Sequence, residues 1–122
     1  MNVLLFILVA IGGFIGAVAR FAISQYVKRN FSFTFPAATL FVNIIGSFLL
    51  GFFNGLDVGE YMLVLAGTGF CGAFTTFSTF KLEAVQLHVD NQKKAFLFYT
   101  IVTYAGGIFS ALVGYQLGLF FF

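Results

Sequence analysis

Charge is what this chain has least of. Only 8% of its 122 residues are charged, while 61% are hydrophobic. An ordinary soluble domain carries roughly 25% charged residues. A water-soluble protein of this length has too little interior to hide so much apolar surface, so the composition excludes a soluble domain and implies a bilayer. The net charge is only +2, which points away from nucleic acid. A single cysteine, Cys71, excludes an internal disulfide. A single histidine, His88, excludes a His/Cys metal cluster within one chain. Cys71 and His88 are far apart in sequence and no nucleophile–base pair is visible, so nothing points to an enzyme.

What is present falls into four apolar blocks. Residues 1–19, 30–56, 61–80 and 95–122 contain no Asp, Glu, Lys or Arg. Each is near or above the roughly 20 residues that a helix needs to cross a bilayer. The sequence predicts one all-α, four-helix transmembrane domain over 1–122, with helices at about 3–27, 36–54, 61–88 and 95–120. Pro36 suits a first helical turn, where its missing N–H costs little. The connectors are short and charged, leaving no room for a soluble domain. Ala17-Val18-Ala19 is similar to a signal-peptidase site, but no basic residue precedes the apolar run and Gly12, Gly13 and Gly16 interrupt it. The first block is therefore expected to be a membrane span.

The third block is unusual. It reads Gly69-Phe70-Cys71-Gly72-Ala73-Phe74-Thr75-Thr76-Phe77-Ser78-Thr79-Phe80. Glycines and hydroxyls let a helix break within a membrane, because neighbouring groups re-satisfy the freed backbone. Such breaks line cavities or hold ions, so a break is expected at 72–76. Phe77 and Phe80 follow it. With 20 phenylalanines in the chain, a Phe pair is more often lipid-facing filler than a site. This pair differs in having Thr75, Ser78 and Thr79 on the same two turns. A phenyl ring is negative on its faces and positive around its edge, and edge-on it attracts an anion without a full charge.

Other polar groups at membrane depth are functional candidates by default. Arg20 lies late in the first helix, against the alternative that it snorkels to an interface. Asn43 lies in mid-helix in the second, against the alternative of an interhelical hydrogen bond. Glu83 follows the third-block motif, where it could pair with Lys81 or Arg20. Thr100, Thr103, Tyr104 and Ser110 offer a hydroxyl track on the fourth helix, of which Tyr104 and Ser110 are candidate site residues. Gly12 and Gly16 form a GxxxG pair, and Gly106, Ser110, Gly114 and Gly118 line one face of the fourth helix. These small faces serve either packing within one bundle or a dimer interface.

Together these residues resemble the Fluc (CrcB) fluoride channel family. The resemblance rests on the run from Gly12 to Arg20, the run from Thr39 to Phe48 around Asn43, and the third-block motif followed by Glu83. It implies an antiparallel dimer of four-helix subunits in the cell membrane, with two passive fluoride pores along the subunit interface. By the resemblance, Asn43 lines the pore, Phe77 and Phe80 present ring edges to fluoride with Ser78 beside them, and Arg20 stands near the aqueous entrance. Backbone carbonyls of Gly72 and Thr75 from both subunits would hold a structural Na⁺, a reasonable set for a hard cation. The chain departs from the family at Lys81, where Ser is frequent, and at Gly114, four residues after Ser110. The alternative reading is a small four-helix multidrug exporter. That class needs a membrane-embedded carboxylate early in the first helix, and here no acidic residue precedes Asp57. A non-transporting assembly subunit would leave the polar motif unexplained.

The basic residues are lopsided. Lys28, Arg29, Lys81, Lys93 and Lys94 fall toward one side of a four-span chain and no Lys or Arg toward the other. The positive-inside rule then predicts one orientation, with both termini outside the cytoplasm. An antiparallel dimer would form with a second copy or, as this bias favours, with an oppositely oriented paralogue.

Overall fold

The computed structural model describes residues 3–31 and 36–121, and these are helical almost throughout. Among them, four helical segments are long and apolar enough to cross a membrane: Val3–Asn30, Ala37–Leu56, Glu60–Val89 and Lys93–Phe121, hereafter spans 1 to 4. The chain is thus a multi-pass membrane protein. Residues 32–35, within the first connector, lie outside the described residues, as do 1, 2 and 122.

The ends differ from the hydropathy reading by a few residues, for local reasons. Span 1 runs on through Lys28 and Arg29 to Asn30, where basic side chains suit the negative end of the helix dipole. Pro36 stands one position before span 2 rather than in its first turn, and its carbonyl accepts from Leu40 N at 3.4 Å. Span 2 stops at Asp57, which is left-handed (φ 55°, ψ 55°). Span 3 stops with Asn91 at φ 60°. There Gln92 N donates to Leu87 O at 2.9 Å and Asn91 N to His88 O at 3.2 Å. This paired closure satisfies the last carbonyls and turns the chain into span 4 at once.

Spans pack in alternate pairs. Span 1 lies along the first half of span 3, and span 2 lies along span 4; each pair runs parallel. Glycine sets both contacts. A Cβ at Gly12 would strike the Leu65 carbonyl, and one at Gly16 the Phe70 carbonyl. Across the other pair, Gly51 meets Ala111, Gly55 meets Tyr115, Gly114 meets Phe48 and Gly118 meets Phe52, again at backbone carbonyls. Backbones can approach this closely only where no side chain intervenes, and lipid supplies no hydrophobic drive to replace that contact. Gly114 and Gly118 on the small-residue face of span 4 are therefore occupied within the chain.

Span 3 is not uniform. Glu60–Met62 is α-helical, Leu63–Cys71 is a π-helix and Gly72–Phe74 returns to α. Thr75 (φ −85°, ψ 161°) and Thr76 (φ −150°, ψ 122°) are extended. The helix Phe77–Val89 then completes the span. Its inner face forms the most buried cluster, where Phe80, Ala84 and Leu87 pack with Tyr99 of span 4, flanked by Leu40, Ala95 and Phe96. That cluster ties the second half of span 3 to span 4, while the first half belongs to span 1. The extended threonines lie between these two attachments.

Candidate functional site

The site is built outward from Thr75 and Thr76. Thr75 closes the preceding turn, its N and its Oγ1 both donating to Cys71 O, at 3.0 and 2.9 Å. Asn43 then takes over the chain. Its Nδ2 donates to Thr76 O at 2.9 Å, and its Oδ1 accepts from Thr76 N at 2.8 Å. A side-chain amide thus acts as a neighbouring strand would, pairing both backbone groups of one extended residue, which would otherwise be costly to leave unpaired away from water. Thr76 Oγ1 caps the next helix by accepting from Thr79 N at 3.3 Å, and lies 3.5 Å from Ser78 Oγ.

These bonds have a consequence for the carbonyls. In a continuous helix, Thr76 N would donate to Gly72 O and Thr79 N to Thr75 O. Here the first amide is given to Asn43 and the second to the Thr76 hydroxyl. Gly72 O and Thr75 O therefore both lose their helical donors. Gly72 is also exposed, with nothing within 4 Å of where a Cβ would stand.

An open groove of about 550 Å³ runs along this segment, and Asn43, Gly72, Thr75, Thr76, Phe77 and Phe80 all line it. Phe80 is 1% exposed and Phe77 62% exposed. The two rings are 5.8 Å apart and tilted by 57°. Phe80 is held from behind by Tyr99 at 5.2 Å and meets Tyr104 edge-to-face at 5.6 Å. Tyr104 and Thr103 complete the wall on span 4. Thr103 Oγ1 is buried with no hydrogen-bond partner, so the groove wall holds one unused donor. No Asp, Glu, Lys or Arg lines the groove. Its chemistry is that of hydroxyls, one amide and ring edges.

The remaining candidates lie elsewhere. Arg20 borders a second cavity of about 250 Å³ with Ser24, Thr39, Thr76 and Thr79. Thr76 is common to the two cavities, so the clamped residue is the wall between them. Ser78 is exposed and is not among the groove-lining residues, and neither is Ser110, which lies between Gly106 and Gly114 on the face that packs against span 2. Glu83 pairs with neither Lys81 nor Arg20; it accepts from Tyr99 Oη at 3.3 Å. Among the described residues no group of three His, Cys, Asp or Glu side chains could hold a metal. Thr76 as the clamped residue and Tyr99 as the support of Phe80 were not singled out by the sequence. Tyr99, Thr100, Thr103 and Tyr104 surround the helix with hydroxyls, and only packing decides which of them faces the groove.

The family model described as CrcB-like protein, Camphor Resistance (CrcB), matches residues 7–115. A Bacillus cereus protein named fluoride-specific ion channel FluC 2 is 53% identical over 112 residues, covering 92% of this chain and 95% of its own. The FluC 1 of Geobacillus kaustophilus is 47% identical over 110 residues, covering 90% and 94%. That of Listeria monocytogenes is 42% identical over 114 residues, covering 93% and 97%. The matched region takes in the span 1 glycines, Asn43, the two extended threonines and the Phe77–Phe80 pair, and on that footing the chain belongs to the CrcB-like family.

Proposed function

We propose that this protein is one subunit of a channel that lets fluoride leave the cytoplasm down its gradient. The observation that carries the reading is the uncharged groove in which Asn43 pins extended backbone beside two phenylalanine rings. Fluoride is small and strongly hydrated. A pathway for it must replace part of its water shell yet bind weakly enough for release. Ring edges, hydroxyls and amide N–H groups meet both demands, whereas a fixed cation in the groove would hold the ion. The N-terminus of the Phe77–Val89 helix adds its positive dipole end at the same place. The relatives' name, fluoride-specific ion channel, selects fluoride among anions. A coupled exporter fits less well, since the groove contains no carboxylate to carry the coupling proton.

In this reading, the groove is completed by a second subunit in the opposite membrane orientation, giving two pores per dimer, with Arg20 at the aqueous end. The exposed Gly72 would face the partner. Its carbonyl and that of Thr75, both deprived of helical donors, suit a Na⁺ shared by the two subunits. When bound, that ion supplies a fixed positive charge at the dimer centre. The side-chain work remains with Asn43, which holds the backbone open, and with the rings, which meet the anion.

The test is efflux from liposomes containing only the purified protein. Fluoride should leave rapidly while chloride stays. Equal fluoride and chloride rates, or no fluoride efflux under a potassium diffusion potential, would overturn the proposal for this chain acting alone.

A further inference from the structure

The ring pair has a third neighbour. Lys81 Nζ lies 5.7 Å from the Phe77 centroid and 5.8 Å from the Phe80 centroid. Positions 77, 80 and 81 fall on one face of the helix by the i, i+3, i+4 rule, so one ammonium stands over both rings. Glu83, the nearest acidic residue in sequence, accepts from Tyr99 instead. The rings are thus the electrostatic partners of this cation.

Two effects follow from that position. A cation over a ring face is attracted by the negative π cloud. It draws electron density toward itself and leaves the hydrogens around the rim more positive. Its long-range field also adds attraction for any anion at the groove wall, to an extent set by ionic strength. Lys81 is absent from the groove lining, so it exerts this pull through the rings and through its field without contacting the ion itself.

We propose that Lys81 is a positioning residue for the anion, holding the Phe77–Phe80 pair from its faces and strengthening the pull of its edges. The proposal rests on the fluoride reading above. The experiment compares Lys81→Met, which keeps the apolar stem over the rings, with Lys81→Arg, which keeps the charge. Initial fluoride efflux from liposomes is measured against fluoride concentration and against added inert salt.

At low ionic strength Lys81→Met should reduce efflux about two- to fivefold, the size expected from losing one exposed charge that attracts the anion. The loss should appear as a higher half-saturating fluoride concentration with the maximal rate kept. It should shrink as salt approaches roughly 1 M, where the screening length falls to about 3 Å. Lys81→Arg should restore wild-type behaviour. Wild-type efflux from Lys81→Met, an equal loss in both variants, or a loss indifferent to salt would each overturn the assignment. Wild-type protein that fails to carry fluoride removes the channel reading and this role together. Wild-type protein that conducts no better than Lys81→Met removes the role of Lys81 alone.

Discussion

Asn43 holds two backbone groups with one side chain, and the geometry makes its isostere informative. Asn43→Asp keeps an acceptor for Thr76 N but sets a carboxylate oxygen against Thr76 O, where Nδ2 now donates. One hydrogen bond is lost and a repulsion gained, at a cost of about 1–3 kcal/mol. The expected outcome is lower thermal stability and at least a tenfold fall in fluoride efflux. Undiminished efflux would mean that the clamp does not shape the pathway. The two rings separate stability from transport. Phe80 is buried among Tyr99, Tyr104 and Phe77, whereas Phe77 is largely exposed. Phe80→Ile should therefore lower both melting temperature and flux, with a stability cost on the order of 1–3 kcal/mol. Phe77→Ile should leave melting nearly unchanged and still cut flux by an order of magnitude, because an aliphatic group has no positive edge. Equal flux in all three proteins would remove the rings from the pathway.

At the scale of the elements, the glycines divide into two kinds. Gly114 abuts the Phe48 carbonyl, and any side chain there forces spans 2 and 4 apart. Gly114→Val should reduce the yield of monodisperse protein, overpacking of this kind costing about 1–3 kcal/mol or more. Gly72 has open space around it within the chain. Gly72→Val should leave the fold of the single chain intact but prevent dimer formation if that face meets a second subunit. Cross-linking in detergent distinguishes the two, and a stable Gly72→Val dimer would place the partner elsewhere. The four spans were legible because a bilayer imposes one length and one polarity on every crossing. The ends moved by a few residues because caps and basic last turns, at Asn91 and at Lys28–Arg29, extend or stop a helix after hydropathy has ceased to vary. The position of Asn43 and the polar character of 69–80 were also visible in the sequence. Their meeting was not: Asn43 and Thr76 are 33 positions apart, and nothing local to either residue reports the pairing. Glu83 shows the same limit, since Tyr99, sixteen positions away, takes the place of the nearby basic residues.

For the whole molecule, charge and packing make separate statements. Lys28 and Arg29 end span 1, while Lys93 and Lys94 begin span 4. The turn between spans 2 and 3 carries Asp57 instead, and span 3 begins at Glu60. Short flanking segments of this kind set orientation. In a Cys71→Ser background, Asn2→Cys should label only from outside intact cells and Gln92→Cys only after permeabilisation. Equal labelling of each site from both sides would mean that the chain inserts both ways and needs no oppositely biased partner. The alternate pairing of the spans bears on how the protein is made. Gly12 waits for Leu65 and Phe70, and Phe48 waits for Gly114, so each tight interface joins segments separated by about fifty residues or more, a long loop to close. The first two spans leave the ribosome with little to pack against each other. Until the third emerges, the glycine face of the first is open to lipid and to insertion chaperones. The nascent chain thus has a window, set by translation speed, in which its assembly is still undecided.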